Sequence, residues 1–213
     1  MVLKQLQAAT GALFAVFVAL HLVNTWLAAF GAQTYDGVQA VLRAVYQFAP
    51  VEALLLAALS VHMVVGILRI VREPKRTLSL RAKLHRYAGF FLLVFIFGHI
   101  AAVRGASWFF DVYPGFAGLA FSISAIPGYF YPYYFLLGLA GFYHGLNGLG
   151  IALNRLGLSM HLQTRQLRLA TAVAGLLLVV ALLGLGGVWF DVGDHSQSGF
   201  AKLAMELMGE PAP

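Results

Sequence analysis

Residues 13–30 read LFAVFVALHLVNTWLAAF, an apolar run with a histidine, His21, near its middle. Three further apolar runs also carry one histidine each: 54–70 with His62, 91–103 with His99, and 136–153 with His144. An ionisable side chain in hydrocarbon is costly, and residues of this kind commonly mark functional sites. Four such histidines, one in each of four runs and none beside a carboxylate, predict a set of ligands.

The composition excludes an ordinary soluble domain. Of the 213 residues, 61% are hydrophobic and 10% are charged, whereas soluble domains carry about 25% charged residues. The net charge of +6 does not indicate nucleic-acid binding, because the basic residues lie in short segments between apolar runs. The chain has no cysteine, which excludes disulfides, a cysteine-ligated iron–sulfur cluster and covalent haem attachment in this chain.

The apolar runs predict an all-α integral membrane protein, a bundle of five transmembrane helices that forms a single domain, 1–213. The predicted spans are about 8–30, 51–71, 87–104, 132–154 and 169–190. The first run is longer than the apolar part of a signal peptide, so we interpret it as a retained helix. Short amphipathic helices are predicted between residues 31 and 50 and around residues 200–208.

The basic residues predict the orientation of the bundle. Segments 72–86 and 155–168, together with Lys4 and Arg69, hold most of the arginines and lysines. Cytoplasmic loops of membrane proteins carry an excess of these residues, so the N-terminus is predicted to be cytoplasmic and the C-terminus outside.

Orientation allows the depth of each histidine to be worked out from the helical rise. His21 and His99 lie about 20 Å from the cytoplasmic edge of their spans at a rise of about 1.5 Å per residue. His62 and His144 lie about 15–17 Å from that edge on the same basis. The sequence therefore predicts an outer pair, His21 with His99, and an inner pair, His62 with His144.

Two imidazoles on facing helices are the axial ligands of a six-coordinate b-type haem, whose porphyrin supplies the other four nitrogens. Gly66 and Gly148 each follow a ligand candidate by four residues, on the helix face where a flat macrocycle needs room. Arg69 lies two turns after His62 on that face and is a candidate partner for a haem propionate. Two haems stacked in this way would form an electron path across the membrane.

Each of these residues also has a structural interpretation. Histidines hydrogen-bond between membrane helices, and glycines pack such helices without any cofactor. Arg69 can instead extend to the membrane interface. His85, His161 and His195 lie outside the predicted spans, and we interpret them as solvated or interfacial; His85 alone is also a candidate contact for a propionate or a quinone.

The length, the five spans, the orientation and the four histidines resemble the di-haem cytochrome b membrane-anchor subunit of succinate:quinone oxidoreductases and fumarate reductases. The single-chain, five-helix bacterial type is the most similar. The resemblance covers nearly the whole chain and is carried by spacing rather than by a long motif. It implies that His21 and His99 hold the outer haem b, that His62 and His144 hold the inner one, and that Arg69 is the basic residue two turns after the second-helix ligand.

The resemblance also implies the partners and the location. A flavoprotein and an iron–sulfur subunit would dock on the cytoplasmic face of a bacterial inner membrane, and the complex could form a higher oligomer. Electrons would pass between succinate or fumarate and a membrane quinone, menaquinone or ubiquinone. The chain has no dinucleotide motif or cluster ligands, so it would not oxidise succinate alone. Phe142 and Tyr143 stand where some members carry an acid, so proton-transfer residues stay unassigned.

Three alternatives stay open at this point. The cytochrome b subunit of a membrane hydrogenase or formate dehydrogenase generally has four spans and concentrates its ligands on fewer helices. A proton or ion transporter is expected to show broken helices or carboxylate pairs near the midplane. A structural anchor without haem would be recognised by its haem content.

Overall fold

The structure is a computed structural model that describes residues 2–72 and 77–209, and the regular elements in these ranges are all helical. The helices are α1 (Val2–Leu27), α2 (Ala32–Tyr46), α3 (Ala49–Arg72), α4 (Leu80–Ile100), α5 (Ala106–Phe110), α6 (Phe116–Ala125), α7 (Pro127–Arg155), α8 (Thr164–Leu185) and α9 (Gly199–Met208). A 3₁₀ turn, Ala28–Phe30, extends α1, and a π-helical turn, Ala101–Gly105, joins α4 to α5.

Five helical segments are long and apolar enough to cross a membrane, which confirms the predicted number. They are Val2–Phe30, Ala49–Arg72, Leu80–Phe110, Pro127–Arg155 and Thr164–Leu185. The predicted short helices are also present, as α2 between residues 31 and 50 and as α9 near the C-terminus.

The third span begins earlier than predicted. We expected a loop over 72–86 and a helix from about 87, but α4 begins at Leu80. Ser79 caps this helix, since its side-chain oxygen accepts a hydrogen bond from the backbone N–H of Ala82 at 3.3 Å. Residues 73–76 of the predicted loop lie outside the described residues.

Three other spans also differ from the predicted bounds. The first begins at Val2 instead of near residue 8. α7 begins at Pro127 instead of near residue 132, because proline is well suited to the first turn of a helix, and Pro132 is accommodated inside it. α8, the fifth span, runs from Thr164 to Leu185 instead of from about 169 to about 190, and Gly187 adopts a positive φ of 79° in the turn that follows it.

The helices alternate in direction, so the basic segments meet at one end of the bundle, which we call the basic end. Arg69 near the end of α3 donates to the side chain of Gln7 near the start of α1. Arg81 in α4 donates to the carbonyl of Leu162, just before α8, at 2.7 Å. The starts of α1, α4 and α8 and the end of α3 therefore lie at this end of the bundle.

The short helices cover the opposite end, which we call the capped end. The Asp36 carboxylate in α2 accepts a hydrogen bond from the backbone N–H of Phe116 in α6 at 2.8 Å. The core cluster also lies at this end and consists of Ala28, Tyr35, Phe116, Ala120, Ile123, Ala181, Leu182 and Leu185. Burial, and then the nearby Tyr46 and Asp36, raise the pKa of the Tyr35 hydroxyl well above its usual range.

The outer faces of the long helices are apolar and exposed. Val94 on α4 and Leu176 on α8 are 70% and 64% exposed, and many other large apolar side chains are exposed in the same way. Surfaces of this kind suit contact with lipid and are compatible with a multi-pass membrane protein. Inside the bundle, α1 packs on α3 and α7, and α4 packs on α7, so these four helices surround one interior region.

Candidate cofactor site

The outer histidines meet between α1 and α4. The ring centroids of His21 and His99 are 6.0 Å apart, with a 71° angle between the ring planes. Phe17, one turn before His21, stacks on its ring at 5.8 Å, and Tyr46 of α2 packs edge-on against Phe17 at 5.2 Å. Aromatic packing from two helices therefore holds this pair in place.

The inner histidines meet between α3 and α7. The ring centroids of His62 and His144 are 6.1 Å apart, and the ring planes are perpendicular, at 90°. The structure thus brings together the two predicted pairs, but it separates the two levels further than the depths predicted. The ring of His62 lies against Gly11, ten residues before His21 on α1, which is about 15 Å of helix, whereas the predicted depths of the two levels differ by only about 3–5 Å. The role of these pairs as ligands is a separate matter and stays a prediction.

The distance within each pair suits one metal ion between two rings. An imidazole nitrogen binds a metal at about 2 Å, which places two facing ring centroids roughly 6 Å apart. Within residues 2–72 and 77–209, no group of three or more histidine, aspartate or glutamate side chains could hold a metal ion. Two protein ligands alone suit a metal that arrives with its own equatorial ligands, as the iron of haem does.

Backbone carbonyls orient the inner rings. Nδ1 of His62 lies 3.2 Å from the carbonyl oxygen of Gln7, and Nδ1 of His144 lies 3.1 Å from that of His85. A carbonyl oxygen can only accept, so each Nδ1 carries the proton and donates it. Nε2 of each ring then keeps the lone pair, which is the usual state of a metal-binding histidine.

Two glycines lie against the inner rings. A Cβ atom added to Gly11 of α1 would be 2.7 Å from Cε1 of His62. A Cβ atom added to Gly89 of α4 would be 2.9 Å from Cε1 of His144. Each imidazole therefore lies directly on a stretch of neighbouring helix that carries no side chain.

A cavity of about 440 Å³ lies at the inner pair. Its walls come from α1, α3, α4 and α7, and its size is within the usual range of cofactor sites. His62 and His144 line it together with Gly66 and Gly148, the glycines that the sequence placed one turn after each ligand candidate. The remaining walls are mostly apolar, as a porphyrin ring requires.

The cavity is positively charged towards the basic end. Its described lining residues include no aspartate or glutamate, but four of them are cationic: Lys4, Arg69, Arg86 and Arg155. Arg69, predicted to meet a propionate, lines the cavity and also contacts the side chain of Gln7. An apolar chamber with a cationic mouth suits a flat molecule that has carboxylates on one edge.

The interpretation of His85 as a solvated loop residue is wrong. Because Ser79 starts α4 early, His85 lies inside that helix and lines the cavity. Its ring stacks on that of His144, with 4.1 Å between centroids and 5° between planes. Its Nδ1 is buried and has no hydrogen-bond partner within the described part of the chain. A polar atom buried in this way suits a ligand that occupies the cavity.

Two asparagines follow ligand candidates by three residues: Asn24 follows His21, and Asn147 follows His144. Asn147 is buried, and its side-chain oxygen accepts a hydrogen bond from Arg81 at 2.7 Å, so it positions that arginine. Asn24 is also buried, and its side-chain oxygen has no partner among the described residues.

An ion pair lies beyond the outer histidines, towards the capped end. Arg104, in the π-helical turn just after His99, makes two hydrogen bonds to the carboxylate of Glu52, one of them 2.9 Å long. The same guanidinium contacts Ser107 and lies 4.9 Å from the ring centroid of Trp108. Turns of π-helix are often found near functional sites. Glu52 and Arg104 are 52 residues apart in the chain, and nothing in the sequence pattern indicates their pairing.

The inner pair fits haem on four counts: the distance between rings, the Nε2 atoms left without a proton, the glycine surfaces and the cationic mouth of the cavity. The outer pair fits haem by the distance between its rings. No family model, curated protein or solved structure matches this chain.

Proposed function

We propose that this chain is the haem-b-containing membrane-anchor subunit of a succinate dehydrogenase or fumarate reductase complex. The observation that carries the proposal is the pair of histidine rings found at each of two levels, with centroids 6.0 Å and 6.1 Å apart and each ring on a different helix. Haem b, when bound, supplies an iron that takes up and releases one electron at a time. The chain would pass electrons between an iron–sulfur subunit and membrane quinone, menaquinone or ubiquinone.

The chain's own residues would hold two haems and keep water away from them. His21 and His99 would hold the haem at the outer level, and His62 and His144 would hold the haem at the inner level. Arg69 and the other cations at the cavity mouth would neutralise the propionates, since opposite charges stabilise carboxylates in a site of low polarity. The apolar walls exclude solvent, as electron carriers in a membrane require.

The basic end would face the cytoplasm of a bacterial cell, because basic segments of membrane proteins stay on that side. A flavoprotein and an iron–sulfur subunit would then dock at the basic end, which is the end nearer to the inner histidine pair. Quinone would bind within the membrane, and lipid would surround the exposed faces of the helices. No enzymatic activity is proposed for the chain alone, and no binding of nucleic acid.

Purification with an affinity tag on this chain tests the proposal. We expect two haem b per chain, the absorption bands of bis-imidazole haem in the reduced form, and a flavoprotein and an iron–sulfur protein in the same preparation. Succinate should reduce the haem. A haem-free preparation would overturn the proposal, and reduction by hydrogen or formate but not by succinate would assign the chain to a different dehydrogenase.

Replacement of Arg69 by glutamine is expected to lower the midpoint potential of the inner haem. A nearby positive charge favours the reduced form, so its removal should lower the potential by an amount on the order of tens of millivolts. Arg72→Gln is the matched control, because Arg72 lies on the same helix, is exposed and is not among the lining residues of the cavity. Redox titration of both variants checks this, and equal shifts in the two variants would argue against a role for Arg69 at the haem.

A further inference from the structure

The inner site is built from two copies of one structural unit. In the first unit, α1 supplies Gln7 and Gly11, and α3 supplies His62 and Gly66. In the second, α4 supplies His85 and Gly89, and α7 supplies His144 and Gly148. In each unit the Nδ1–H of the histidine donates to a backbone carbonyl, and the residue with that carbonyl precedes a glycine by four positions. The histidine ring lies against that same glycine.

The remaining contacts repeat as well. A Cβ atom on Gly66 would be 3.3 Å from the side chain of Gln7, and one on Gly148 would be 3.3 Å from that of His85. The sequence repeats with the geometry, since glycine precedes the outer histidine by ten residues in both α1 and α4, at 11 and 21 and at 89 and 99. A chance helix contact would not reproduce a hydrogen bond, a steric contact and a sequence interval together.

We propose that Gly11 and Gly89 are positioning residues for the inner pair: each lets the facing imidazole reach the carbonyl of Gln7 or His85 and thereby directs its Nε2 across the cavity. This inference rests on the proposed haem-binding function, and it assigns a role to residues that touch the ligands of the haem instead of the haem itself.

Steric limits explain why glycine is needed. Real Cβ atoms essentially never come within 3.0 Å of other heavy atoms, and here they would lie at 2.7 Å and 2.9 Å from ring carbons. The imidazole would have to move away from the helix, and a ring that moves away loses its Nδ1 hydrogen bond. Loss of such an outer partner typically weakens metal binding about 10- to 100-fold.

The experiment compares Gly11→Ala and Gly89→Ala with two control variants. Gly98→Ala on α4 and Gly128→Ala on α7 add the same methyl group where nothing lies within 4 Å. We expect Gly11→Ala and Gly89→Ala to lose most of the inner haem or to shift its low-spin EPR signal, which depends on the angle between the imidazole planes. The outer haem should be unchanged, as should both haems in the two controls.

The outcomes separate this inference from the proposed function. Wild-type protein without haem would overturn both. Wild-type protein with two haems, together with a Gly11→Ala variant that matches Gly98→Ala in haem content and EPR signal, would overturn this inference alone. Equal loss of both haems would also overturn it, because that result indicates general damage to the bundle.

A second measurement decides the matter should the alanine variants fail to accumulate. NMR of the reduced, ¹⁵N-histidine-labelled wild-type complex should show the two inner imidazoles protonated and hydrogen-bonded at Nδ1, at positions assigned by comparison with His62→Ala and His144→Ala. Protonation of either inner histidine at Nε2 would contradict the proposed orientation.

Discussion

Replacement of His21 or His99 by alanine is expected to remove one haem, and replacement of His62 or His144 to remove the other. The reason is that each pair of rings is spaced for one metal ion, 6.0 Å apart in the outer pair and 6.1 Å in the inner pair. Loss of one ligand leaves a single imidazole, which cannot form six-coordinate haem. Haem per chain and the reduced-minus-oxidised spectrum should show one remaining haem in each single variant.

Double variants sharpen this test. His21→Ala with His99→Ala should retain one haem, since both changes affect the same site, whereas His21→Ala with His144→Ala should retain none. His161→Ala is a suitable control, because His161 is exposed in the segment before α8. The pairing is wrong if His21→Ala and His62→Ala abolish the same spectral component.

Replacement of Glu52 by alanine is expected to destabilise the bundle strongly. Glu52 and Arg104 are largely buried, with 18% and 17% of their side chains exposed, and they form a two-bonded ion pair between α3 and the π-helical turn. Removal of one partner leaves the other charge buried without its counter-ion, which costs roughly 3 kcal/mol. The expected result is a clear fall in the thermal unfolding temperature in detergent.

The double variant Glu52→Ala with Arg104→Ala should recover part of the lost stability, because it leaves no uncompensated charge. Lys202→Ala, which removes an exposed charge on α9, should unfold at the wild-type temperature. Purely additive effects of the two substitutions would show that the ion pair contributes nothing to the stability of the fold.

The number of spans and the two histidine pairs could be predicted from the sequence because both depend on position along a helix. Apolar length marks a span, and the count of residues from a basic segment gives the depth of a side chain. This count gives His21 and His99 one depth, and in the structure their ring centroids lie 6.0 Å apart.

The glycine contacts of the inner rings and the position of His85 could not be predicted, because they depend on the rotation of each helix and on small shifts of its ends. Nothing in the apolar pattern of α1 or α4 shows that Gly11 and Gly89 face the rings of other helices. His85 was misplaced because the cap at Ser79 starts α4 within a strongly basic segment. One signal was available in the sequence, because the ten-residue interval from Gly11 to His21 recurs from Gly89 to His99. Gln7 and His85 each precede the glycine by four residues, so the repeat relates His85 to Gln7.

The ten-residue interval between each positioning glycine and the outer histidine has an electrical consequence. Ten residues of helix separate the two levels by about 15 Å, or about half of a hydrocarbon core roughly 30 Å thick. A full charge that crosses a membrane gains or loses about 2.3 kcal/mol per 100 mV, so half the distance corresponds to about 1.2 kcal/mol. Under the proposed function, 100 mV of membrane potential would change the ratio of electron occupancy between the two haem levels about sevenfold. The chain would therefore respond to voltage as well as to its redox partners.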